Sequence, residues 1–207
     1  MKTVRVTIFS DYICPFCYIG KGIVEKLQKE FAGELVINDE WLPYEIHPET
    51  PAGGVRLDEY FSGMNAGLFF TEINQRAKRY GLFFGPQEVL SNSRLALMGG
   101  EFAKEHDRYH EYHSAVFKAY FTDCKNIGEM DVLLKVLRDC GLEEEIFKEA
   151  VEQGVYLEKL KETTQRARDN FVKAAPTFAI DGYGNVTGAA SLDTFREIFS
   201  NLRDDHN

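Results

Sequence analysis

The chain has 207 residues, 44% of them hydrophobic, which is enough apolar material for the core of one large domain or two small ones. A formal net charge of −9, with no cluster of lysine or arginine, argues against nucleic acid or an anionic membrane as a partner. No apolar run approaches the ~18 residues a membrane span needs, and residues 1–10 lack the apolar stretch of a secretion leader, so a cytoplasmic protein is expected.

Along the chain, Val4, Val6 and Ile8 alternate with Arg5, Thr7 and Phe9 at the period of a strand. The tetrapeptide CPFC, residues 14–17, follows at once. Pro15 suits the first turn of a helix, where its missing N–H is no loss, and Ile19, Ile23, Val24, Leu27 and Phe31 recur behind it at helical spacing. A second strand is predicted over 34–42. Pro43, Pro48 and Pro51, with Gly53 and Gly54, then break regular structure at the exit of a βαβ unit.

From Leu57 to about Asn170 the period is helical, punctuated by Gly81, the Gly85-Pro86 pair, Gly128 and Gly141, which predicts four to six helices and no strand. Beyond this block, Thr177, Ala179 and Gly182 alternate less cleanly with Phe178, Ile180 and Asp181 as a strand, DGYGN reads as a hairpin turn and VTGAA as the returning partner. Ser191 is placed to cap a last helix, whose apolar face is Leu192, Phe195, Ile198, Phe199 and Leu202. The repeated GLFF at 67–70 and 81–84 is too short to mark a structural repeat. The order βα, β, helices, ββα predicts one mixed sheet built from the two ends of the chain. CPFC then lies at the carboxyl end of the first strand and the amino end of the first helix, where open α/β sheets put their ligand sites.

In a reducing cytosol, cysteines at tight spacing point to catalysis or metal binding before structural staples. A cysteine at a helix N-terminus faces unpaired N–H groups and the positive end of the helix dipole, which favour the thiolate of Cys14. Cys17, one turn on, is within disulfide reach and sits inside the helix, where burial keeps it less reactive. The roles separate into Cys14 as nucleophile and Cys17 as resolving thiol. The alternatives are an idle pair, or a zinc site, which needs two further ligands where no second CxxC exists.

Cys124 and Cys140 read as small buried hydrophobes ahead of a second redox pair. His106, His110 and His113, spaced i, i+4, i+7, would share one helical face, but EHDRYHEYH reads as a polar helix surface and no metal is expected. Phe69, Phe70, Phe83 and Phe84 are candidates for an apolar groove or for ordinary core packing. Asp11 is a candidate to move a proton at Cys17, or else an exposed loop carboxylate.

Three blocks, SDYICPFCYIG, SAVFKAYFTDCKNIGEMDVLL and APTFAIDGYGNVTGAA, together resemble the DsbA-like thioredoxin-fold proteins of the FrnE type. That branch is close to 2-hydroxychromene-2-carboxylate isomerases and kappa-class glutathione transferases. The resemblance implies an α/β fold: a thioredoxin-like mixed sheet from residues 1–50 and 171–207, with a large inserted all-helical subdomain over 51–170. It also implies that Ala175-Pro176 is a cis peptide facing the CxxC, so that Ala175, Pro176 and Phe16 contact substrate. The family commonly carries valine before this proline, whereas this chain reads NFVKAAPTF. Asn92, in SNSRLAL, resembles a helix start near the active site of the relatives and is a binding candidate or a helix cap.

The isomerase and transferase relatives place serine where this chain has Cys14 and use glutathione. Retaining both cysteines points instead to a thiol-disulfide oxidoreductase acting on protein or small-molecule disulfides and recharged by a reducing partner. The alternative is a glutathione-dependent isomerase or transferase with an aromatic substrate, and a third reading is a non-catalytic holdase using the phenylalanine-rich block. No tightly bound cofactor is expected, glutathione is the candidate co-substrate, and the state is monomer or homodimer.

Overall fold

The computed structural model describes residues 1–63 and 65–204. In chain order it builds β1 (Lys2–Ser10), α1 (Pro15–Glu30), β2 (Leu35–Pro43), β3 (Val55–Arg56), α2 (Leu57–Tyr60) and α3 (Ala66–Ala77), which tightens into a 3₁₀ turn at Lys78–Tyr80. There follow β4 (Val89–Leu90), α4 (Arg94–Glu105) and α5 (Tyr109–Phe117), the last running into a π-helical turn at Lys118–Thr122. The chain closes with α6 (Met130–Asp139), α7 (Glu144–Glu152), α8 (Val155–Asp169), β5 (Thr177–Ile180), β6 (Gly184–Thr187) and α9 (Leu192–Asp204). Among the described residues no helix is long and apolar enough to cross a membrane.

Four strands form one mixed sheet in the order β2-β1-β5-β6. β1 pairs parallel with β2, Val4 opposite Ile37 and Ile8 opposite Trp41, and antiparallel with β5, Ile8 opposite Phe178. The period-two pattern of β1 has a direct structural result: Val4, Val6 and Ile8 are buried with Ile19, Ile23 and Leu27 of α1 in the main core. Phe9, pointing the other way, joins Leu42, Ala167 and Val172 in a small second cluster, so α8 covers the opposite face. Gly182 and Gly184, with φ of 81° and 116°, turn the β5–β6 hairpin as its DGYGN sequence predicts. Ser191 caps α9 by accepting the Thr194 N–H at 3.1 Å, again as expected.

The middle of the chain departs from its prediction. Seven α-helices, not four to six, occupy it among the described residues, and β3 pairs antiparallel with β4 where no strand was expected. The cause is a long-range polar anchor: the buried Gln87 side chain accepts from the N–H groups of Glu88 and Val89 and donates to the Tyr120 carbonyl at 2.8 Å, holding this segment extended. The histidines do not share a helix face either. His106 ends α4, Asp107 turns the chain with φ of 55°, and His110 and His113 belong to α5. Cys124 and Cys140 are half-buried free thiols, one in the loop after the π-helical turn and one capping α6.

Candidate active site

CPFC sits at the junction of β1 and α1, and each residue there has a local reason for its place. Cys14 is the N-cap, in extended backbone at φ −87° and ψ 114°, and Pro15 opens the helix. The Cys14 carbonyl accepts from the N–H groups of Cys17 and Tyr18 at 3.0 and 3.4 Å, which winds the first turn and brings the fourth residue back toward the first. All four cysteines of the chain are free thiols.

The two sulfurs have different surroundings. The Cys14 thiol donates to the Ala175 carbonyl at 3.3 Å, and Ala175-Pro176 is a cis peptide, as the resemblance implied. Only 4% of Cys14 is exposed, but it forms part of the wall of a cavity of about 280 Å³. Cys17 is fully buried, and burial, reinforced by the neighbouring Cys14 thiol, pushes its pKa well above the ordinary thiol range. Ser10 and the Asp11 backbone N–H act on Cys17 in the opposite sense.

Asp11 is not an exposed loop carboxylate. It is completely buried, accepting from Ile13 N–H at 3.2 Å and Ile46 N–H at 2.8 Å, with Ser93 beside it. Loss of solvent pushes its pKa up to about 6, against the lowering effect of those donors, and the nearby Glu45 adds to the rise.

The cavity beside Cys14 is aromatic. Phe16 stands at its edge, half-buried, with the Arg76 guanidinium 5.6 Å from its ring centre. Phe69 and Phe70 of α3 supply another wall, so these two phenylalanines do line a groove. Phe84 is core instead, and Phe83 is 60% exposed on the surface. Asn92 is absent from the wall: its amide donates to the Thr50 carbonyl at 2.6 Å and its oxygen accepts from Arg94 N–H at 3.0 Å, shaping the entry to α4.

Several contributors were missed in the sequence. Gly20 in α1 permits the close approach of the cis-proline segment, since a Cβ there would meet Phe178 at 3.0 Å and Pro176 at 3.6 Å. A glycine in mid-helix was the available signal. Ile46, His47, Phe61, Tyr120 and Phe121 also line the cavity, and nothing in their local spacing marks them.

A four-stranded mixed sheet with a CxxC at the first strand-to-helix junction, facing a cis proline, defines a thioredoxin-fold protein. Residues 5–200 match the DSBA-like thioredoxin domain, and the chain belongs to that family. It is 33% identical over 201 residues to the uncharacterized protein YwbO of Bacillus subtilis (strain 168), covering 96% of both chains. Its fold is similar to that of a probable DsbA oxidoreductase from Streptomyces coelicolor, at a TM-score of 0.87 and 21% identity over 99% of this chain and 92% of that one. A 2-hydroxychromene-2-carboxylate isomerase matches at a TM-score of 0.72 and 16% identity, over 96% of this chain and 95% of the other.

Proposed function

We propose that the protein exchanges electrons with disulfide substrates through Cys14 and Cys17. The observation that carries this reading is the asymmetry of the pair: one sulfur lines a cavity at a helix N-terminus, and its partner one turn on is sealed from solvent. In the reducing direction, the Cys14 thiolate attacks a substrate sulfur, forming a mixed disulfide and releasing the first substrate thiolate. Cys17 then attacks the Cys14 sulfur, the intramolecular disulfide forms, and the second substrate thiolate leaves. Two electrons pass from the dithiol to the substrate, and a reducing partner returns them. We assign Asp11, whose carboxylate is buried beside the CxxC turn on the Ile13 and Ile46 N–H groups, as the base that takes the Cys17 proton as the new S–S bond forms; a pKa of about 6 suits that role. The Ala175 carbonyl, which accepts from the Cys14 thiol, and Phe16, which lines the same cavity, are assigned as substrate contacts. We place the reaction in the cytoplasm, where a glutathione-poised pool keeps a dithiol reduced.

The test is a pair of variants. Cys14→Ser abolishes dithiol-dependent turnover of any disulfide, and Cys17→Ser accumulates a mixed disulfide at Cys14 visible as an adduct by mass spectrometry. Full turnover in either variant removes the mechanism. The aromatic cavity supports one second reading, a glutathione-dependent isomerase acting on an aromatic substrate. Saturable glutathione binding with no disulfide turnover by the wild type decides for it.

A further inference from the structure

The cavity that holds Cys14 also constrains what can be attached to the sulfur it attacks. We propose that it selects disulfides bearing a compact, uncharged aromatic group and discriminates against glutathione disulfide; this rests on the oxidoreductase reading above.

Six aromatic rings, those of Phe16, Phe61, Phe69, Phe70, Tyr120 and Phe121, surround a space of about 280 Å³. That lies just below the roughly 300–1,000 Å³ common for ligand sites, enough for a ring or a fused pair of rings. The base is rigid: Phe121 packs on Phe84 at 4.8 Å and stacks on Tyr18 at 5.7 Å between centroids, and the Tyr120 hydroxyl is tied to the Val89 carbonyl at 3.0 Å. Phe69 and Phe70, both half-buried, meet edge to face at 5.5 Å in the same lining.

Among the described residues, no lysine or arginine lines this cavity. Its one titratable group among the described residues besides Cys14 and Tyr120 is His47, whose Nδ1 lies 2.9 Å from the Tyr60 hydroxyl and 3.3 Å from the Glu49 carboxylate. The nearby Arg76 spans the Phe16 ring and donates to the Ala189 carbonyl, so it is already engaged. A glutathionyl group carries two carboxylates against one ammonium, and burying a carboxylate without a partnering cation is unfavourable. Glu49 and the net charge of −9 oppose it further. An uncharged ring meets none of these costs and gains ring-to-ring contact.

With a symmetric aromatic disulfide, Cys14 thiolate attacks one sulfur and releases the first aryl thiolate. Cys17 then attacks Cys14, forming the Cys14–Cys17 disulfide and releasing the second. The two protons of the dithiol go to solvent or to the departing thiolates, and dithiothreitol restores the dithiol.

The experiment compares 4,4′-dithiodipyridine, 2-hydroxyethyl disulfide and oxidised glutathione as substrates. Each kcat/KM is divided by the rate constant of free dithiothreitol with the same disulfide, which removes intrinsic reactivity. The expected result is a normalised value for the aromatic disulfide at least tenfold above both others, falling at least fivefold in Phe70→Glu and less in Phe70→Leu. Glutathione disulfide equal to or above the aromatic one overturns the proposal. If no disulfide is turned over, the oxidoreductase reading fails, and the cavity is judged separately by 1-naphthyl methyl sulfide binding to Cys14→Ser. Saturable one-to-one binding, weakened tenfold by adding Phe70→Glu, upholds the aromatic selectivity; absence of binding overturns it.

Discussion

The Asp11 carboxylate accepts the Ile46 N–H at 2.8 Å, tying the CxxC junction to the loop that walls the cavity. The tie is made by a fully buried group whose pKa stands at about 6 against an ordinary 3.8. A raised carboxylate pKa means that the folded state holds its proton more tightly than the unfolded chain. Folding stability therefore falls as pH rises from about 4 to about 6 and stays lowered above that. The shift of ~2 units corresponds to ~3 kcal/mol at most. Asp11→Asn, which keeps an acceptor for Ile13 or Ile46, is expected to stabilise the reduced protein by ~1–3 kcal/mol at pH 8. The two urea unfolding curves should converge near pH 4. Equal stability at pH 8 shows that the carboxylate is not strained by burial.

Cys17 should be chemically silent in the folded, reduced protein. Its sulfur is buried and its pKa is raised, first by loss of solvent and then by the adjoining Cys14 thiol. At pH 7.5, iodoacetamide is expected to modify Cys14 at least 100-fold faster than Cys17, with the difference vanishing in 8 M urea. Peptide mass spectrometry reads both sites. Comparable rates at the two cysteines in the folded protein contradict the separation of roles.

Much of this site was legible where the cause is local. The strand alternation of β1, Pro15 at the helix start and the Ser191 cap all lie within a few residues of their consequences. What stayed hidden depends on distant chain. Asp11 accepts from Ile46, 35 residues on, and the Gln87 side chain beside β4 reaches Tyr120, 33 residues away. A two-residue strand carries no period to detect. The Cys14 contact with Ala175 spans 161 residues and came only through family resemblance.

His113 gives stability the opposite pH dependence to Asp11. It is buried among Trp41, Tyr12, Tyr109 and Phe117, its Nε2 has no hydrogen-bond partner among the described residues, and desolvation, aided by Lys21, His110 and Lys104, holds its pKa well below 6.5. The unfolded chain takes up this proton below pH ~6.5 while the folded one does not. Stability is fully present above that pH and falls by up to ~1.4 kcal/mol per unit below it. Asp11 slopes the other way in the same window, so the measurement belongs in an Asp11→Asn background. There, His113→Phe is expected to flatten the loss between pH 6.5 and 5 by ~1 kcal/mol or more. An unchanged slope excludes His113 as its source.

Gly22 links the catalytic helix to the cavity wall. A Cβ at Gly22 would stand 2.6 Å from the Tyr80 Cβ and 3.1 Å from its Cγ. Tyr80 ends the 3₁₀ turn that continues α3, the helix carrying Phe69 and Phe70. A Cβ is fixed to its backbone, so no rotamer change relieves the clash; α1 or the end of α3 must shift. Alanine gains ~1 kcal/mol in helix propensity, whereas overpacking of this kind costs ~1–3 kcal/mol. Gly22→Ala is expected to destabilise the protein by ~1 kcal/mol net and, by displacing α3, to raise KM for an aromatic disulfide more than it lowers kcat. Gly53→Ala is the control, since nothing lies within 4 Å of a Cβ there, and its stability should stay within ~0.5 kcal/mol of wild type. If Gly22→Ala stabilises the protein and leaves KM unchanged, α3 is not held against α1 at this point, and the cavity wall owes its position to other contacts.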